Sequence, residues 1–292
     1  MSVSTIEATE TTGPPLAVDD PATNRRVYLH PLTGELFTSA TTALSIIDKQ
    51  ALPYWYGKQS AICALESLQA MMDAVRVPPC NGQHCGICLT CLALRIRHAG
   101  DRERDAAADR GSRFHNVAEQ RALTGRWISF DPDLEPYVEQ FERFIDLHKV
   151  EFHAAEVTVI NRAHRWGGTL DTVLTCGWMP PKHRNLIGVP LLGDYKTGNK
   201  IYESAGLQLA GYRHGEAVLL PDGTEHHLPL ADTETALSIQ IRADDFWVRP
   251  CPVGDAAYAK FLRTLALWRD INEPDLKLVG RAMYKPRPKK ES

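Results

Sequence analysis

The sequence predicts an α/β protein, with a helical N-terminal half followed by a mixed sheet that holds one embedded helix. Three observations predict it. Apolar residues keep a helical spacing through much of the stretch from about 41 to 149. From about 151 the period changes to two, the alternation of strands. A helical stretch at 203–219 interrupts that alternation.

The elements follow in order. Residues 1–25 read as a flexible leader, rich in Thr, Glu and Pro. It has neither the positive start nor the apolar run of a signal peptide, so the expected location is the cytoplasm. Residues 26–38 alternate around a turn at Pro31–Gly34, which predicts a hairpin. Ser39 or Thr41 caps a short helix over about 41–48. A longer helix spans about 53–74, with Trp55, Ile62, Leu65 and Leu68 at helical spacing, and Pro78-Pro79 ends it. Residues 89–98 are helical and Gly100 breaks them. The next helix, 101–124, stops at Gly125. A further amphipathic helix at 134–149 carries Tyr137, Phe141, Phe144 and Leu147 on one side. Strands are expected at 153–161, 166–176, 188–196 and 237–249, and a last helix at 255–271. The chain thus divides into a leader, a helical cap at 26–150, a core at 151–275 and a basic tail at 276–292.

Bulk properties narrow the function classes. The chain has 292 residues, 43% apolar and 24% charged, as in ordinary globular proteins. No apolar run approaches the ~18 residues of a membrane span. A net charge of -3 and a pI near 6.4 exclude nucleic-acid binding by bulk charge alone. They leave room for a nuclease, whose bound cations offset an acidic site. The tail from Lys285 to Lys290 reads as solvated, with phosphate contact as the alternative.

Four of the seven cysteines, Cys80, Cys85, Cys88 and Cys91, fall within twelve residues. In a chain without a secretion signal, such a cluster reads as a metal site before a disulfide framework. Four thiolates at this spacing suit one tetrahedral zinc ion. An iron–sulfur cluster is the alternative, and free thiols are a third reading. His84 and His98 are candidate substitute ligands, while Cys63, Cys176 and Cys251 read as small core residues.

The chemistry concentrates between residues 168 and 212. The sequence runs Gly168-Thr-Leu-Asp171, then Gly193-Asp-Tyr-Lys-Thr-Gly198, then Gln208-Leu-Ala-Gly-Tyr212. Asp194 and Lys196 share one strand face, roughly 7 Å apart along the chain. If their strands pair, Asp171 and Asp194 can share a divalent cation, with the Tyr195 carbonyl as a further oxygen. Taken alone, Asp-x-Lys also describes an ion pair on an exposed strand. Upstream, His115 in Arg110-Gly-Ser-Arg-Phe-His115 lies four residues before Glu119 on a helix.

This set resembles the PD-(D/E)xK nuclease superfamily, specifically its RecB-like branch of phage and CRISPR-adaptation exonucleases. The resemblance covers about residues 38–270 and implies a restriction-endonuclease-like mixed sheet flanked by helices. It implies a Mg²⁺ or Mn²⁺ site made of His115, Asp171, Asp194 and the Tyr195 carbonyl. Lys196 would be the catalytic lysine, with Gln208 and Tyr212 supporting it and the DNA backbone. Glu156 resembles a recurrent acidic position of the branch, and Glu119 is a secondary candidate. One departure is Leu170, which stands where the superfamily name has Pro. Iron–sulfur members of the branch bracket the core with one early and three late cysteines, whereas this chain groups all four early.

The expected function is a metal-dependent deoxyribonuclease, an exonuclease of phage or bacterial recombination and repair. DNA ends would be the substrate and a recombinase or annealing protein a candidate partner. Trp55 and Tyr56 are candidates to stack on a DNA end. The rival is a catalytically silent nuclease fold that binds DNA or senses redox state through the cysteine cluster. Polarity, strand preference, cutting mode and oligomeric state are not encoded in these motifs.

Overall fold

The computed structural model describes residues 16–272, apart from 22, 48, 50, 82, 83 and 229–232. The basic tail at 276–292 lies outside the described residues. The leader is in part a strand: β1 (Ala17–Asp20) pairs antiparallel with β2 (Arg25–Leu29). The hairpin forms as expected, β2 pairing with β3 (Leu36–Ser39). Ser39 then caps α1 (Ala40–Ala43), its hydroxyl accepting from the Thr42 amide, and a 3₁₀ turn (Leu44–Ile46) follows.

The cap departs most from the sequence reading. The long helix is two, α2 (Ala51–Glu66) and α3 (Leu68–Ala74), parted at Ser67, whose hydroxyl accepts from Arg95 at 2.6 Å. The expected apolar stripe is not a core face: Leu65 is 74% exposed and Leu68 56%. Helical spacing only locates a stripe; what covers it is settled by tertiary contacts, and α2 leans on its neighbour through a different residue, Tyr56. Two further helices follow, α4 (Leu89–Arg97) and α5 (Ala99–Thr124). The break between them falls at His98, and Gly100 sits inside α5. A Cβ on Gly100 would stand 2.2 Å from the Tyr56 ring, so close approach accounts for this glycine. Gly125 ends α5 in the left-handed conformation, as expected.

The helix α6 (Glu135–His148) buries Phe141 and Phe144 fully, while Leu147 is 51% exposed. Then come β4 (Val150–Asn161), β5 (Trp166–Cys176), β6 (Leu191–Lys196) and α7 (Glu203–Arg213). The expected helix at 203–219 stops early, because Ala217, Val218 and Leu219 are buried as β7 (Ala217–Leu219) against β4. After β8 (Glu225–His226), the single strand expected at 237–249 is a hairpin, β9 (Thr235–Ile241) and β10 (Phe246–Pro252). Its turn is polar, and the Arg242 amide donates to the Asp245 carbonyl. The last helix is α8 (Asp255–Asn272).

The described sheet is mixed and flanked by helices on both faces. One face packs on α5 and α6 through Phe114, Phe141, Phe144, Tyr195 and Ile239. The other packs on α1, α7 and α8 through Ala43, Val173, Leu192, Leu209 and Phe261. Among the described residues, no helix is long and apolar enough to cross a membrane.

One topological feature positions the site. On one edge β5 pairs with β4 along nearly its whole length. On the other edge it pairs in parallel with β3 only at Trp166 and Gly167, and antiparallel with β6 only from Thr172 to Leu174. Between those two pairings the edge of β5 forks, and Thr169 and Asp171 lie in the fork.

Candidate active site and cysteine centre

The fork leaves the Tyr195 amide without a ladder partner on β5, and a side chain replaces it. The Asp171 carboxylate accepts from this amide at 2.7 Å. The Tyr195 carbonyl points to the same edge and lies 3.1 Å from His115 Nε2. On its other side His115 Nδ1 is 3.6 Å from both Asp171 Oδ2 and Glu156 Oε1. One donor atom each from His115, Glu156 and Asp171 falls within 4.8 Å of the others.

Glu156 reaches this group through an unusual backbone. Ala155 opposes Thr172 and Val157 opposes Leu170, so Glu156 stands across from Asp171. Its φ is +48°, in the left-handed region that a side-chain-bearing residue rarely occupies within a strand. Such strain costs about 1–3 kcal/mol and clusters where geometry serves a site.

Asp194 lies next to this group. Continuing the pairing of Thr172 with Gly193 places Asp194 across from Asp171. Its Oδ1 accepts from Lys196 Nζ at 2.6 Å, and its Oδ2 is buried with no hydrogen-bond partner among the described residues. Asp-x-Lys is therefore an ion pair, with Asp194 buried and Lys196 half-buried at the wall of the acidic pocket.

The glycine of Gly-Thr-Leu-Asp has a packing reason. A Cβ on Gly168 would stand 2.3 Å from the Tyr212 ring. Tyr212 is thereby seated flush on β5, and its hydroxyl accepts from Gln208 Nε2 at 3.1 Å. His115, Glu119, Glu156, Asp171, Lys196 and Gln208 all line one pocket of about 450 Å³, with Tyr212 at its wall. Tyr28 also lines it, its hydroxyl 2.9 Å from that of Thr169. No local pattern marked Tyr28, because it sits on β2 and arrives through the pairing of β2 with β3 and of β3 with β5.

Proton affinities report the crowding of charge. Burial raises the Asp171 carboxyl against the opposing pull of His115 and Lys196. Burial, with Asp171 beside it, pushes Asp194 up to about 6. Burial and then Glu156 push Glu119 up to about 7. Burial opposes charge on His115, but Asp171 and Glu156 overcome it and hold the ring at about 9. Burial likewise opposes charge on Lys196, and Asp194 and Asp171 overcome it, so its ammonium is held above its ordinary value.

The donor set suits a hard divalent cation, which takes carboxylate and carbonyl oxygens together with a neutral imidazole. The orphaned Asp194 Oδ2 is what such an ion would satisfy. Of the cap aromatics, Trp55 is half-buried, and Tyr56 is committed to packing on α5, its hydroxyl accepting from Arg104 at 3.0 Å. Tyr54 is the exposed ring there, at 83%.

The four cysteines meet in the loop between α3 and α4. Cys80 Sγ lies 3.5 Å from Cys91 and 3.7 Å from Cys88, and Cys85 lies 3.9 Å from Cys91. All four sulfurs lie within 4.8 Å of one another and could hold a metal ion such as zinc. Backbone hydrogen bonds at Cys91 and Cys80 lower the Cys88 thiol to about 6. A backbone bond at Gly86 favours the Cys91 thiolate, but burial and the three neighbouring thiols outweigh it and raise Cys91 to about 11. His84 Nδ1 is 3.6 Å from Cys91 Sγ, whereas His98 is turned away to Asp101 at 2.9 Å. Of the remaining cysteines only Cys176 is a core residue; Cys63 and Cys251 are half-buried.

No family model matches the chain, and no curated protein matches it. A solved structure described as "Crystal structure of SSO0001" matches at 14% identity, over 72% of this chain and 86% of that one, with a TM-score of 0.28. A likeness of that size carries no argument about fold or function.

The strain at Glu156 is testable. Glu156→Ala keeps the left-handed φ penalty and Glu156→Gly removes it, so urea denaturation is expected to find the glycine variant more stable by about 1 kcal/mol. Equal stabilities, or a more stable alanine variant, would contradict a strained Glu156.

Proposed function

We propose that this chain is a divalent-metal-dependent deoxyribonuclease with a restriction-endonuclease-like core, working as an exonuclease in phage or bacterial recombination and repair. The observation that carries the reading is the convergence of His115, Glu156 and Asp171 within 4.8 Å, beside the half-buried Lys196 that pairs with Asp194. His115, Asp171, Asp194 and the Tyr195 carbonyl would hold Mg²⁺ or Mn²⁺, with Glu156 as a further oxygen ligand. When bound, such an ion supplies Lewis acidity at the phosphoryl oxygen and lowers the pKa of water.

The chain's own residues do the rest. Lys196 is held charged by two carboxylates, which suits orienting water and stabilising charge on the phosphate better than taking a proton. Asp194 fixes the lysine, and Gln208 fixes the Tyr212 hydroxyl, at the wall of the same pocket. The pocket of about 450 Å³ leaves room for a phosphodiester beside Lys196.

At the cysteine loop we propose a single zinc ion. A tetrahedron with Zn–S bonds near 2.3 Å has edges of about 3.8 Å. The closest sulfur pairs lie 3.5–3.9 Å apart, around that edge. A multi-iron cluster needs wider spacing, because a metal–sulfide framework lies between its thiolates.

Two measurements test these readings. End-labelled linear and closed circular DNA, incubated with Mg²⁺ or Mn²⁺, should show loss of the linear form. Lys196→Ala should cut at least about 100-fold more slowly. Nicked circles would make the enzyme an endonuclease, and no cutting with either metal would overturn the catalytic reading. Metal analysis of the purified protein should find one zinc per chain in a colourless solution, lost in Cys88→Ser. Brown protein containing iron would overturn the zinc assignment.

A further inference from the structure

Across α7 from the acidic pocket lies a second cavity of about 680 Å³. Glu203, Gly206 and Leu207 face it, whereas Gln208 and Tyr212 face the first pocket. The loop that follows Lys196 runs between the two. At its start Thr197 lies against Gly111 of α5, and further on Lys200 and Tyr202 line the second cavity.

This cavity is cationic in a chain of net charge -3: Lys200, Arg249 and Lys260 line it against the carboxylate of Glu203. The Tyr202 ring gathers ammonium groups at the mouth, with Lys49 Nζ 5.4 Å and Lys200 Nζ 5.3 Å from its centroid. Ser238 also lines the cavity, fully buried, and its hydroxyl has no partner among the described residues. Arg249 is pre-positioned by its neighbours. It donates to Gln240 Oε1 at 2.7 Å, and Gln240 Nε2 donates to the Gly198 carbonyl at 2.6 Å, two residues beyond Lys196.

The geometry points to this cavity as a subsite for a backbone phosphate of the polynucleotide strand being cut, held by Arg249, Lys200 and Lys260. The inference rests on the nuclease reading for what occupies the first pocket. A strand lying over Lys196 and crossing the 197–202 loop passes from carboxylates that need a cation to cations that need an anion. Gln240 ties the two ends together through the backbone of that loop. The Ser238 hydroxyl supplies a donor at the floor of the subsite, as phosphate oxygens require.

The test is the binding of a fluorescent single-stranded oligonucleotide to the full chain, by anisotropy, with Ca²⁺ in place of the catalytic metal. Each phosphate contact contributes about 0.7 to the slope of log affinity against log salt for single strands. Arg249→Gln with Lys260→Gln is expected to flatten the slope by about 1.4 and to weaken binding about 25-fold at 0.1 M salt. Lys260→Gln alone, at an exposed position of α8, should flatten it by about 0.7, and it carries the test where the double variant fails to fold. Inorganic phosphate should compete only weakly, because one phosphate lacks the rest of the strand. Strong competition by phosphate, with oligonucleotide binding unchanged in the variants, would reassign the cavity to a free anion and overturn the strand subsite. Unchanged slopes in the variants, with a wild type that cuts DNA, overturn the subsite and leave the nuclease standing. Weakened binding in a protein that cuts nothing would do the reverse. A wild type that binds no oligonucleotide overturns the subsite.

Discussion

The acidic site depends on one hydrogen bond, from the Tyr195 amide to the Asp171 carboxylate at 2.7 Å. It forms because the sheet forks: β5 gives one end of an edge to β3 and the other to β6. Where β6 leaves β5, a backbone donor would be buried without a partner, at a cost comparable to a lost hydrogen bond. A carboxylate in the fork satisfies it and is held in place by it. The same residue's carbonyl then faces His115, and its ring is locked edge-on against Phe141 at 5.2 Å. Backbone, core and site thus meet at Tyr195.

That arrangement gathers more negative charge than a protein interior tolerates alone. Glu156, Asp171 and Asp194 are opposed by His115 and Lys196, and burial still raises the Asp171 and Asp194 carboxyls. Burying carboxylates is costly unless they are paired or coordinate a metal. A left-handed Glu156 and an orphaned Asp194 oxygen add to the cost. The proposed divalent cation would offset this negative charge. The cysteine loop gathers soft donors in the same way: four sulfurs lie within 4.8 Å of one another and could hold a metal ion.

Much of this was legible in the sequence because it is local. The strand 166–176, the Gly125 stop and the Gln208–Tyr212 pair follow from period, conformation and helical spacing. His115, Asp171 and Lys196, singled out by residue type and order, line one pocket, while Asp194 is outside that lining and pairs with Lys196. What escaped was non-local. The exposure of Leu65 and Leu68 depends on what covers α2, and the early end of α7 on an open edge of β4. Tyr28 reaches the pocket only through strand pairing, and no alternation pattern announces the positive φ of Glu156. Gly100 reads as a helix breaker until the Tyr56 ring is seen in the space its side chain would need.

The most direct measurement of the central claim is anomalous diffraction from crystals soaked in Mn²⁺. The account predicts a peak in the fork of β5 and β6, within bonding distance of His115, Asp171 and the Tyr195 carbonyl, and no such peak in Asp171→Asn crystals. Well-ordered wild-type crystals with no density there, or with manganese bound only elsewhere, would contradict it.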